Sequence, residues 1–144
     1  MAGQTVEDGP LARFVEAQDG VYPRALAEVR AGAKQTHWIW FVFPQIEGLG
    51  QSPTARFYAI ADGEEARAYS RHPLLGPRLA ECTDAMLRWA GERSAEQILG
   101  AVDAQKFRSC MTLFERCADD PASFAAALEA FYSGSRDEAT LARL

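Results

Sequence analysis

The sequence predicts an all-α fold, a compact single-domain bundle of about eight short helices with no repeat. Three observations carry this. Helix punctuation recurs along the chain, with Asp or Ser ahead of a Pro, or three residues ahead of a Glu or Gln, and Gly or Pro where each apolar period ends. Phe107, Cys110, Met111, Phe114 and Cys117 follow the helical period closely, the clearest amphipathic stripe in the chain. Only Trp38–Phe43 has strand character, and a lone buried strand would leave its backbone groups unpaired. That segment is therefore expected to be a short buried helix stopped by Pro44.

The elements follow in order. Pro10 opens a first helix, with Leu11, Phe14 and Val15 on one face. Tyr22–Ala31 is rich in Ala, Leu and Arg and closes at Gly32. Ser52-Pro53 reads as N-cap and first helical residue of a helix to about Ile60. Asp62 with Glu65 resembles a capping box for a helix through Arg71. His72-Pro73 breaks it and begins a longer helix with Leu75, Leu79, Cys82, Met86 and Trp89 on one stripe. Ser94 with Gln97 is a second capping box, for a short helix ending at Gly100. Asp103 is expected to cap the amphipathic helix, Asp120-Pro121 opens another that ends at Ser133-Gly134, and Asp137 caps a last turn. Residues 1–9 are expected to form a flexible tail and 10–144 one domain.

Composition bounds the function. A chain of 144 residues can bury a sizeable core without staples, and 48% apolar with 24% charged residues is ordinary for a globular protein. The net charge of −5, with no basic stripe, argues against a nucleic-acid surface. Cys82, Cys110 and Cys117 form no C-x-x-C pair and read as buried thiols in a reducing compartment. The polar, acidic start MAGQTVEDGP is unlike a signal peptide, and the longest aliphatic and aromatic run, six residues, is too short to span a membrane, so the expected location is cytoplasmic. With only His37 and His72, a zinc site is not expected, and no Gly-rich phosphate loop or G-x-S-x-G elbow is present. No cofactor is implied.

Two clusters carry what chemistry there is. Lys34–Tyr58 holds six of the fifteen aromatics, one of two lysines and one of two histidines. There Lys34, His37, Trp38, Gln45, Gly50, Ser52 and Tyr58 read in two ways. As structure, the aromatics are core, His37 sits at a helix start and the glycines turn the chain. As a site, aromatic faces stack on a flat ring while Lys, His and Gln bond its polar groups. The second cluster is Asp103, Lys106, Ser109 and Thr112, either a cap, a solvated lysine and two helical hydroxyls, or a small polar site with backbone donors for an anion. The chain has thirteen arginines and two lysines, so Lys34 and Lys106 read either as ordinary cations or as places where a compact ammonium is needed rather than a planar fork.

The blocks G-x-K-x-T-H-W-I-W-F-V-F-P-Q, G-L-G-x-S-P, R-F-Y-A-I, E-A-R-A-Y, H-P-L-L-G-P-R-L and D-x-x-K-F-R-S-x-M-T-L-F resemble a bacterial family of unknown function, DUF1810, sometimes mislabelled calpastatin. The resemblance runs from about Leu11 to the C-terminus and implies a single compact all-α domain, but supplies no reaction. The family's serine pair after the lysine is here Ser109-Cys110, so no role passes to a second hydroxyl. A fainter likeness, carried by E-A-R-A-Y and H-P-L-L-G-P-R-L, is to the helical NADAR family, associated with ADP-ribose derivatives and N-glycosidic chemistry. Three expectations result. The first is a pocket for a small nucleotide-like metabolite, ADP-ribose- or NAD-derived. The second is a structural or protein-interaction module with no small-molecule site. The third is an N-glycosidase-type hydrolase with acid–base chemistry from His37, Glu65 or Asp103.

Overall fold

The computed structural model describes residues 8–144. Most of the expected tail, residues 1–7, lies outside the described residues. A 3₁₀ turn, Gly9–Leu11, leads into ten α-helices: α1 Ala12–Gln18, α2 Tyr22–Arg30, α3 Ile39–Val42, α4 Pro53–Phe57, α5 Gly63–Arg71, α6 Leu75–Leu87, α7 Ala95–Leu99, α8 Ala101–Cys117, α9 Ala122–Tyr132 and α10 Glu138–Leu141. Among the described residues there is no sheet; one isolated parallel bridge joins Ile46 to Ile60. The fold is the expected all-α one, with ten helices rather than about eight.

The organising element is α8, which packs against α3, α5, α7, α9 and α10. Its expected stripe is buried, but so is every residue from Ser109 to Phe114. At 100° per residue, six consecutive buried positions mean that the helix is covered on all sides there. The hydroxyls of Ser109 and Thr112 are usable inside because α10 meets them: Ser109 donates to Asp137 Oδ2 at 3.0 Å, and Thr112 Oγ1 accepts the Asp137 amide at 3.0 Å. Asp137 in turn caps α10 by accepting from the amide and hydroxyl of Thr140.

Segment Trp38–Phe43 is helical over Ile39–Val42, as expected, with Trp38 as its N-cap residue. A single turn leaves most of its carbonyls without helical partners, and Pro44 has no amide to give. The Phe41 carbonyl is met instead by two buried side chains, Gln18 Nε2 at 2.7 Å and the Tyr69 hydroxyl at 3.1 Å. Gln18 is fixed in turn by Arg78, which donates to its Oε1 at 3.2 Å. One carbonyl thereby ties α1, α5 and α6 to α3.

Three element expectations need correction. Asp103 does not cap α8; the helix begins two residues earlier, after Gly100, and Asp103 sits inside its first turn. The helix after His72-Pro73 starts at Leu75, because His72 Nδ1 accepts the amides of Leu74 and Leu75. With both donors aimed at Nδ1, the ring proton sits on Nε2, which donates to Asp8 Oδ1 at 2.8 Å. Helix α4 ends at Phe57 rather than Ile60, since Ile60 is drawn into extended bonding with the backbone of Gln45 and Glu47.

Replacing Gln18 with Met keeps the volume but removes the closest donor to the Phe41 carbonyl and the acceptor of Arg78. Chemical unfolding should show a loss of about 1–3 kcal/mol, the cost of unpaired buried polar groups. A loss below about 0.5 kcal/mol, the scale of ordinary surface changes, would show that Tyr69 alone suffices.

Candidate functional site

The loop that carries Lys34, His37 and Trp38 is held by a carboxylate at the end of α2. Glu28 Oε1 accepts the Gln35 amide at 2.8 Å, the Thr36 amide at 3.0 Å and the Trp38 indole N–H at 2.9 Å, while Oε2 accepts the Thr36 hydroxyl at 2.6 Å. Desolvation pushes the Glu28 carboxyl up, but the Thr36, Gln35 and Trp38 donors outweigh it and hold the pKa at about 2. The loop's start is fixed at Gly32. Its φ is +71°, and an added Cβ would stand 2.8 Å from the Trp89 ring, so only glycine fits. Trp89 Nε1 donates to the Val29 carbonyl and Arg93 to that of Gly32, closing the turn from outside.

On this loop the Lys34 ammonium reaches Asp103 Oδ2 at 2.8 Å and lies 5.0 Å from the centre of the Trp38 ring, with its side chain only 7% exposed. Lys106 Nζ is 3.8 Å from the other oxygen of the same carboxylate. Both lysines of the chain therefore converge on one aspartate in the first turn of α8, whose start has no side-chain cap. Val102, in that same turn, is 70% exposed. His37 is exposed at the surface of the loop.

A second group forms on the other part of the aromatic block. Trp40, Gln45, Ile46, Gly50, Ala55, Tyr58 and Ala59 line a notch of about 10 Å³, room for roughly one water. Gly50 is required there, since a Cβ would stand 2.4 Å from that of Ala55. Ser52 is occupied as N-cap of α4, accepting the Ala55 amide at 3.1 Å. Tyr58 is half-buried against Phe41 and Phe14.

Similarity gives the chain a family. The family model for proteins of unknown function, DUF1810, matches residues 8–144. The chain belongs to the DUF1810 family. It is also similar, at 50% identity and a TM-score of 0.90, to the conserved hypothetical protein Rv1873 from Mycobacterium tuberculosis, whose crystal structure was determined at 1.38 Å; the match covers 93% of this chain and 95% of that one. No curated protein matches the chain.

In this DUF1810 chain the expected site residues divide. Lys34, Asp103 and Lys106 come together; Gln45, Gly50 and Tyr58 come together; His37 stays exposed. Trp38 is fully buried, with its ring between Lys34 and Phe43 and its N–H on Glu28, so it offers no face to a ligand. The aromatic wall of the notch is Trp40 instead. The Ser109 hydroxyl is engaged by Asp137. Of the acid–base candidates, Glu65 accepts from Arg13 and from the Ala61 amide, and Asp103 is shared by the two lysines. Among the described residues no group of three or more His, Cys, Asp or Glu side chains is placed to hold a metal ion. All three thiols are free and buried, and burial raises each, that of Cys82 to about 12. The residues the sequence did not flag are Glu28 and Gln18, polar side chains in helices whose partners lie in later segments; neither belongs to a periodic or capping pattern.

Glu28 makes a pH-dependent prediction. Its folded pKa of about 2 lies below its ordinary 4.5, so its contribution is complete at neutral pH, falls as pH drops below that value, and is gone once pH passes through about 2. Glu28→Gln should lose about 1.5–3 kcal/mol at pH 7, the range for hydrogen bonds to a charged group, and the gap to the parent protein should close on acidification. A gap constant from pH 7 to pH 3 would exclude the charge as its source.

Proposed function

We propose that this chain binds a small anionic, nucleotide-like metabolite, ADP-ribose- or NAD-derived, with its phosphate groups at the start of α8. One observation carries the reading: of fifteen cationic side chains only two are lysines, and both reach the same carboxylate at an uncapped helix start. Two ammoniums against one carboxylate leave net positive charge where the backbone amides of the first turn add to it. Asp103 orients the two ammoniums, with the Lys34 side chain nearly closed to solvent. The likeness of two helical stretches to ADP-ribose-linked proteins selects the ligand class. A net charge of −5 favours a small ligand over a nucleic acid, and buried free thiols suit the cytoplasm.

Thermal shift tests this without an assay of turnover. A ligand at a hundredfold excess over Kd stabilises by about 2.7 kcal/mol, several degrees in Tm for a chain of this size. ADP-ribose and NAD should raise the Tm of the parent protein, and the rise should shrink as salt screens the lysines. Lys106→Gln should abolish most of it, and Lys106→Arg should reduce it, because a planar fork does not occupy the place of a compact ammonium. Absence of any shift with these nucleotides at millimolar concentration would overturn the reading.

A further inference from the structure

Phe57 stands out on the surface: it is 60% exposed, one of three exposed large apolar residues among the described ones. Its backbone, by contrast, is firmly held. The Phe57 carbonyl accepts Arg13 Nε at 2.9 Å and the Ala59 carbonyl accepts Arg13 Nη2 at 2.8 Å, while Arg13 is itself ion-paired with Glu65 at 3.1 Å. The ring meets Tyr58 edge to face, with centroids 4.8 Å apart at 84°. Tyr58 in turn lines the notch with Trp40, Gln45 and Gly50. An exposed aromatic on an immobilised backbone beside an aromatic-lined notch has the form of a recognition residue, since little further entropy is lost when something stacks on it.

The notch also contains a polar side chain, that of Gln45. The backbone of Gln45 is pinned, its carbonyl accepting the Ile60 amide at 2.8 Å. Its half-buried side-chain amide makes no hydrogen bond to any other described residue and shares the notch with the aromatic side chains of Trp40 and Tyr58. An amide offers one donor edge and one acceptor edge side by side, the complement of a heteroaromatic ring that carries an exocyclic amine next to a ring nitrogen. The free space of about 10 Å³ is too small to admit a ring. The ring must therefore lie across the mouth, against Phe57, with its polar edge directed inward at Gln45.

We propose that the mouth of this notch, lined by Trp40, Tyr58 and Gln45 with Phe57 set against Tyr58, seats a planar heteroaromatic ring of the aminopurine kind. This deepens the proposed function by assigning the ring end of the ligand, and rests on it only for joining the two ends in one molecule. The segment of α3 links them: Lys34 lies on Trp38, and Trp40 walls the notch.

The two ends are separable with two probes, adenosine for the ring and inorganic pyrophosphate for the anion. Binding is read by quenching of tryptophan emission for adenosine and by thermal shift for both. Adenosine should bind the parent protein, and Phe57→Ala and Gln45→Leu should each weaken it by about tenfold, the scale of losing one stacking partner. Neither substitution should change the pyrophosphate response, whereas Lys106→Gln should change that response alone. Phe57 is exposed, so its substitution is expected to fold, and circular dichroism of both variants checks this. Adenosine failing to bind the parent protein, or binding both variants as well as the parent, overturns the ring site whatever pyrophosphate does. Adenosine bound and lost in the variants, with no pyrophosphate response, upholds the ring site and removes the phosphate site.

Discussion

The carbonyl of Phe41 is the constraint on which the middle of the molecule turns. A four-residue helix ended by proline cannot satisfy its own backbone, and this one is buried, so water cannot do it either. Gln18 and Tyr69 supply the donors, and their positions at the end of α1 and inside α5 fix where those helices lie. Once α3 is held, Phe43 can reach the face of α8, meeting Phe107 edge to face at 4.8 Å. The central helix is then closed in by α5, α7, α9 and α10. A polar interaction of modest net worth thus decides the placement of much apolar surface, because leaving that carbonyl unpaired would cost more than the bond gains.

The same logic recurs at the candidate site. Glu28 satisfies four donors of a loop that has no secondary structure of its own, and Asp103 sits between two ammoniums. Each carboxylate converts flexible backbone or side chain into fixed geometry. Their roles differ in where the fixed groups face. Glu28 turns its donors inward, toward the indole of Trp38, whereas Asp103 holds Lys106 at a partly open surface beside an uncapped helix start. That openness is what the proposed anion site rests on.

Aromatic density marked one stretch but could not sort its members. Trp38 and Trp40 are two residues apart with the same chemistry, and only packing separates them: the first is enclosed by Lys34, Glu28 and Phe43, the second lines the notch. Phe57 was legible only as one more ring. Its exposure follows from the early end of α4, where Arg13 takes the Phe57 carbonyl and the chain turns to pair with Gln45. Ser109 shows the reverse case, a hydroxyl beside the lysine in sequence that belongs to the α10 cap in space.

By itself the sequence determined what local physics controls. It set the all-α class, the helix starts at Ser52, Asp62, Ser94 and Asp137, where a side chain meets an amide three residues on, and the buried stripe of α8. It also isolated Lys34 and Lys106 as unusual in an arginine-rich chain. Only the tertiary structure decided what depends on partners far along the chain. That includes where the Phe41 carbonyl finds its donors, why α8 starts at Ala101 and not after Asp103, and that the two lysines share one aspartate across nearly half the chain's length. The reason is range. A cap or a period is written within a few residues, whereas burial and ion pairing are settled by whichever element arrives from elsewhere in the chain.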